Sequence, residues 1–361
     1  MKKVLLGMSG GTDSSVAALL LKEQGYLVDG VTFRSYDSIS KACMEKETGC
    51  CSVDSIFEAK KLAQDLGIDH HVLDAREDFK DTVINNFVEQ YMAGFTPNPC
   101  VICNKTIKWG IMLEDAMKRN YDYIATGHYA NVIFEKNRYF LRKGIDETKD
   151  QTYFLWMLTQ DNLARTIFPL GGLTKPEVRE IARKYGYEKI ANKRESQEIC
   201  FIPDDDYRGF LKLNNPDIDK IIGEGDFVDI NGKVIGKHKG FPFYTIGQRK
   251  GLEIAMGYPV YVLNIDADNN RITLGERPDL FKKELWIENI NLMKYEKIKD
   301  GFEAICKIRY NNKGEKCRIW QSSNKIKIVF EEPVSAITPG QSAVIYEEND
   351  IVAGGIIMKN I

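Results

Sequence analysis

From Lys3 to about residue 200 the chain alternates short β-branched or apolar runs with longer stretches of helical periodicity. Residues 4–7 read as a strand, 13–24 as a helix, 27–33 as a strand and 54–66 as a helix. A short strand near 71–73, helical stretches at 79–91 and 107–119, and a strand at 123–126 continue the pattern. Strands separated by helices have room to cross over and pair in parallel, so this rhythm predicts a parallel sheet with helices on both faces. Such sheets bind ligands beyond the carboxyl ends of their strands, where loops open into helices.

After residue 205 the rhythm breaks. Asp204-Asp205-Asp206, Asn214-Asn215-Pro216 and the glycines from Gly223 onward interrupt helical periodicity. Short strands take over at 226–230, 260–265, 272–275, 303–308, 326–330 and 342–346. Short strands divided by turn residues predict a small barrel or sandwich, and Arg277-Pro278-Asp279 marks a break within this β-rich part. The expected organisation is an α/β domain at 1–205, a small mixed central domain at 206–278 and a C-terminal β-barrel at 279–361. A length of 361 residues suits that number of domains.

Fifty basic against 52 acidic side chains leave a net charge of −2, which excludes an all-over basic surface and permits a local basic patch. The 43% hydrophobic content lies far from that of disordered chains. The first apolar run stops at Gly7 and enters a glycine turn, which fits a strand better than a signal peptide. No later stretch reaches the ~18–20 apolar residues of a membrane span, so a cytoplasmic protein with no membrane partner is expected. The eight cysteines are 43, 50, 51, 100, 103, 200, 306 and 317. In a reducing compartment their clustering points to metal or sulfur chemistry, while Cys306 and Cys317 sit on alternating β patterns and read as core.

The first strand runs into Gly7-Met8-Ser9-Gly10-Gly11-Thr12-Asp13-Ser14. Small residues let the backbone approach a phosphate, and the helix that follows offers amide donors and a positive dipole end. The loop is neither a Walker A loop, which needs Lys-Ser/Thr after its last glycine, nor a GxGxxG dinucleotide turn. Ser-Gly-Gly-x-Asp-Ser resembles the PP-loop of the ATP pyrophosphatases, of the adenine nucleotide alpha hydrolase-like fold. That resemblance implies ATP cleavage between the α and β phosphates, adenylation of a substrate oxygen, and Asp13 near Mg2+.

Asn98-Pro99-Cys100-Val101-Ile102-Cys103 is a CxxC on a proline-stiffened turn. Taken alone it is compatible with a metal site, a redox pair or a nucleophile. Cys200, between Ile199 and Phe201, reads in isolation as a buried core thiol. The ordered series Gly10-Gly11, Asn98-Pro99, Cys103-Asn104, Gly127-His128-Tyr129, Lys149-Asp150-Gln151, Ser196-Gln197 and Ile199-Cys200 reverses that reading. It resembles the bacterial tRNA-specific 2-thiouridylases, and the likeness continues through Lys175-Pro176-Glu177, the 244–252 segment, Arg309-Tyr310 and Pro339-Gly340-Gln341.

The resemblance implies 2-thiolation of the wobble uridine, position 34, in tRNAs of the Lys, Glu and Gln type. ATP would be lined by Gly7, Met8, Ser9, Gly10, Gly11, Thr12, Asp13, Ser14, Phe33 and Gly127. Cys103 would be the nucleophile and Cys200 the sulfur acceptor. The tRNA would meet Asn98, Pro99, Cys100, His128, Lys149, Asp150, Gln151, Arg309, Tyr310 and Gln341. One position departs from the family pattern: Cys100 stands where a carboxylate is usual. A third thiol favours a [4Fe–4S] cluster on Cys100, Cys103 and Cys200, with a Cys103–Cys200 disulfide or free thiols expected once oxidation removes it. The sulfur donor would be a relay protein, a cysteine desulfurase or inorganic sulfide. The competing reading is another PP-loop adenylating synthetase acting on a small metabolite, which needs no clustered cysteines.

Overall fold

A computed structural model of the chain describes residues 1–36, 53–193, 199–202 and 206–359. Cys43, Cys50, Cys51, Ser196 and Gln197 lie outside the described residues. The chain divides into two compact units, one of residues 1–84, 99–205 and 349–352 and the other of 85–98, 206–348 and 353–361.

The first unit is built on the expected parallel sheet. Strands β1 (Lys3–Gly7), β2 (Leu27–Arg34), β3 (His70–Asp74), β4 (Tyr123–Ala125) and β7 (Thr166–Ile167) lie in the order β3-β2-β1-β4-β7, every pair parallel. Val4, Leu5 and Leu6 are all fully buried, as a central strand covered on both faces requires. Helix α1 (Thr12–Glu23) turns Val16, Ala17 and Leu21 into one core cluster with Val4, Leu6 and Val28. Val178 and Ala182 of α5 (Lys175–Lys184) join the same cluster, as do Ala59 and Leu62 of α2 (Val53–Leu66).

The CxxC lies on a helix that starts earlier than its apolar pattern suggested. Pro99 opens α3 (Pro99–Cys103), where its fixed φ suits a first turn. The winding then widens into a π-helical stretch, Asn104–Ile111, before α4 (Met112–Lys118). The β5–β6 hairpin (Ala130–Glu135, Arg138–Lys143) has no counterpart in the sequence reading. Its turn residues Lys136 and Asn137 both have positive φ, the geometry of a tight hairpin, without the Asn-Gly pair that usually signals one.

The second unit holds two β structures. A mixed four-stranded sheet has the order β10-β11-β8-β9 (Tyr261–Asp266, Arg271–Gly275, Gly225–Val228, Val234–His238), with only β11 and β8 parallel. A six-stranded antiparallel barrel runs β12-β15-β14-β13-β16-β17 (Phe281–Leu292, Lys325–Ser335, Glu315–Ser322, Phe302–Lys307, Ser342–Glu347, Asp350–Ile357) and closes through β12 against β17. Cys306 and Cys317 are buried among these strands, and burial pushes the Cys317 thiol up to about 12. Their expected role as core residues agrees with that placement. Among the described residues no helix is long and apolar enough to cross a membrane.

Candidate active site

The phosphate loop forms where β1 ends, next to the point where the strand order reverses between β1 and β4. At that point adjacent loops diverge and leave a crevice. Gly10 has φ +67°, and a Cβ there would meet the Ser55 carbonyl oxygen at 2.6 Å. Gly11 caps α1 with no side-chain hydrogen bond, which leaves the first amides of the helix available to an anion. The loop is pinned at its ends: Met8 N donates to Val31 O at 2.8 Å, Thr32 Oγ1 to Met8 O at 2.7 Å, and Ser9 N to Ser14 Oγ at 3.2 Å. Gly127, just beyond β4, abuts the same loop, since a Cβ there would lie 2.9 Å from Asp13 C and Ser14 N. Phe33 is half-buried near the end of β2. The loop, Phe33 and Gly127 thus occupy the carboxyl ends of three adjacent strands.

Asp13 faces two donors from distant parts of the unit. Tyr129 OH donates to its Oδ1 at 2.8 Å and Lys175 Nζ at 2.7 Å. Tyr129 is held in turn by Gln151, whose backbone N–H donates to Tyr129 O while its Oε1 accepts from Tyr129 N. Asp150 is buried and accepts from the amide and hydroxyl of Thr152. Gln151 and Asp150, expected at the tRNA, are therefore engaged in holding the wall of the nucleotide crevice. On the opposite side Lys193 Nζ donates to Gly10 O at 3.1 Å and pairs with Glu58.

Cys103 is half-buried on α3, and its neighbour Asn104 is buried and donates to Phe154 O at 3.0 Å. A wide turn next to a reactive residue is a frequent functional device. Although Cys100 is an exposed residue, crowding around its sulfur raises the thiol, an effect the Lys108 ammonium opposes. Cys200 is exposed on a turn closed by Ile202 N donating to Ile199 O at 2.8 Å. The next residue, Phe201, is buried edge-on against Phe79 at 5.7 Å. Its apolar neighbours anchor the turn, so the thiol itself faces outward and the core-thiol reading fails.

Residues 2–204 match the family described as tRNA methyl transferase HUP domain, 218–276 the tRNA methyl transferase PRC-barrel domain, and 282–357 the aminomethyltransferase beta-barrel domain. The chain is 50% identical over 359 residues to the tRNA-specific 2-thiouridylase MnmA of Cytophaga hutchinsonii, covering 99% of this chain and 98% of that one. The chain belongs to the tRNA-specific 2-thiouridylase MnmA family. The relatives of the same name from Amoebophilus asiaticus and Salinibacter ruber are each 49% identical, over 99% and 98% of this chain and 96% and 94% of theirs. The domain descriptions speak of methyl transfer, whereas the full-length relatives are named for 2-thiouridylation.

Among the described residues of this thiouridylase no three His, Cys, Asp or Glu side chains are gathered as a metal site. Cys100 and Cys103 lie one helical turn apart on α3, and Cys200 rides on a separate turn. All three are present as thiols.

His128 is buried at 8% exposure between Trp109 and Phe168. Burial holds its pKa well below the usual histidine value, and the Lys108 ammonium adds to the effect. Lys108 Nζ lies 3.4 Å from Nε2 and can only donate. The neutral ring therefore carries its proton on Nδ1, 2.7 Å from Thr126 Oγ1.

Of the expected tRNA residues of this thiouridylase, Arg309, Tyr310 and Gln341 lie in the second unit. Gln341 Nε2 donates to Thr96 O at 3.0 Å and to Pro97 O at 2.9 Å, and Thr96 N donates to Pro339 O at 3.0 Å. Gly340, at φ +90°, is packed so closely that a Cβ would lie 2.9 Å from Thr96 O. This grip holds the residues that lead into Asn98-Pro99. Arg309 is exposed and donates to Ser335 O, and the Lys307 ammonium lies over the Tyr310 ring at 5.8 Å. The sequence reading assigned no role to Tyr129, Lys175, Lys193 or Lys108. For Lys175 a signal existed, because Thr174-x-x-Glu177 is a capping box that fixes the start of α5.

Proposed function

We propose that the chain thiolates C2 of the wobble uridine at position 34 in tRNAs of the Lys, Glu and Gln type, using ATP. What carries the reading is the presence in one unit of an uncapped helix start behind a glycine loop and of exposed or half-exposed thiols on structured turns. The uridine O2 would attack the α-phosphorus of ATP and pyrophosphate would leave, which turns a poor leaving group into AMP. Asp13, one-third exposed beside the loop, fits the Mg2+ that accompanies ATP.

Sulfur would arrive on Cys200 as a persulfide from a relay protein, a cysteine desulfurase or inorganic sulfide with an oxidant. Its terminal sulfur attacks C2 and AMP departs. Attack of the Cys103 thiolate on the Cys200 sulfur then releases the thiouridine and leaves a Cys103–Cys200 disulfide for an external dithiol to reduce. In the alternative route Cys100, Cys103 and Cys200 would hold a [4Fe–4S] cluster, which would supply the sulfur as hydrosulfide at its open iron in place of the persulfide. Asn98, Pro99, Cys100 and His128 remain the proposed base-contacting residues, with Lys149, Asp150, Gln151, Arg309, Tyr310 and Gln341 the further proposed tRNA contacts. The division at 1–205, 206–278 and 279–361 is kept as the functional partition: adenylation, connection and tRNA contact.

The test is mass spectrometry of wobble nucleosides in tRNA from cells lacking the gene. Loss of 2-thiouridine, restored by the native chain and not by Cys103→Ser, is expected. Retained 2-thiouridine with no paralogue present overturns the reading. An adenylating synthetase for a small metabolite would keep its activity in Cys103→Ser.

A further inference from the structure

Lys175 is the first residue of α5 and is only 5% exposed, an unusual place for a lysine unless an anion meets it. The α5 amides are already served by acids: Lys175 N donates to Asp146 Oδ2 at 3.0 Å and Thr174 N to Glu177 Oε2 at 2.7 Å. What α5 presents to the phosphate loop is therefore the Lys175 ammonium itself. It lies 2.7 Å from Asp13 Oδ1 and 5.9 Å from the centre of the Tyr129 ring. Asp13 stands in the first turn of α1, whose own amides no side chain caps. A buried ammonium and an open helix start thus converge on a single carboxylate, a charge balance that has room for a polyanion.

We infer that Lys175 is a catalytic residue of the adenylation step, whose ammonium exchanges Asp13 for the β and γ phosphates when Mg·ATP binds. The inference rests on the adenylation reading above. Once Mg2+ occupies the Asp13 carboxylate, the hold of Lys175 on that oxygen weakens. The nearest anion its flexible stem can then reach is the triphosphate held at the loop. As the uridine O2–Pα bond forms, the bond from Pα to the bridging oxygen breaks and its electron pair leaves with pyrophosphate. The departing group gains one negative charge, and a desolvated ammonium stabilises that charge more in the transition state than in bound ATP. The uridine N3 proton, made acidic as O2 is adenylated, passes to solvent. In the nucleotide-free protein Asp13 keeps the ammonium in place, so the subsite is preorganised.

The experiment is calorimetric titration of the full chain with Mg·pyrophosphate, Mg·ATP and AMP, without tRNA. Lys175→Met and, as a second variant of different packing, Lys175→Gln are each expected to weaken pyrophosphate and ATP at least tenfold while AMP stays within twofold. Lys175→Arg should recover part of the pyrophosphate affinity. Pyrophosphate binding within twofold of the native chain in a folded Met or Gln variant overturns the inference. An AMP loss equal to the pyrophosphate loss also overturns it, by reducing Lys175 to a structural role. Failure of the native chain to release AMP in the presence of tRNA would instead count against the adenylation reading itself.

Discussion

At the scale of single residues, the site depends on contacts that leave no room for a methyl group. Gly127→Ala drives a Cβ to 2.9 Å from the backbone of Asp13 and Ser14. The expected result is ATP binding weakened at least tenfold with the circular dichroism spectrum unchanged, measured by titration. His128 gives a second prediction. Its buried ring should take up a proton only at lower pH than an exposed histidine and carry its proton on Nδ1 while neutral, so its nitrogen NMR shifts should titrate below those of a free imidazole. Replacing Lys108 by Met should free the tautomer choice. The glycine loop was legible because phosphate binding demands a short, local pattern. The pairing of Lys175 and Tyr129 with Asp13 was not, because those contacts cross 162 and 116 residues of chain, although a capping box marked the helix start at Lys175. Cys200 was legible only through its motif: flanking apolar residues suggested burial, and the structure buries Phe201 while leaving Ile199 half-buried and the cysteine exposed.

At the scale of elements, the strands and helices of the parallel sheet follow their apolar periodicity closely, because strands buried on both faces tolerate little else. Departures occur where turn chemistry is atypical, as at Lys136-Asn137, or where a helix winds irregularly, as at Asn104–Ile111. Gln341, expected at the tRNA, also clamps Thr96 and Pro97. Gln341→Ala removes two hydrogen bonds to backbone carbonyls, and a stability loss of about 1–2 kcal/mol is expected by urea denaturation. Gly340→Ala should cost more, on the order of 2–3 kcal/mol, since its φ and its crowding both oppose a side chain. In both variants tRNA thiolation should slow more than ATP binding weakens, because the clamped residues precede the CxxC and lie outside the phosphate loop.

For the whole molecule, stability should depend on pH through a histidine far in sequence from the nucleotide loop. His238 is 2% exposed at the end of β9, and burial lowers its pKa to about 4, with Lys237 adding slightly and Asp226 opposing. Between that value and its ordinary 6.5 the unfolded chain binds a proton that the folded chain does not. Stability therefore falls as pH drops from about 6.5 toward 4, and His238→Gln should flatten that part of a urea-midpoint profile. Cys103→Ser and Cys200→Ser should each abolish thiolation while leaving ATP affinity within twofold, a separation readable by titration beside nucleoside mass spectrometry. The clamp on Pro97 also has a consequence for biosynthesis. Gln341 follows Pro97 by 244 residues, and at roughly 5–20 residues per second a ribosome needs about 12–50 s to make that stretch. For that interval the turn leading to Cys100 and Cys103 exists without the residues that will grip it, and the nascent enzyme carries its CxxC thiols behind an unsecured turn.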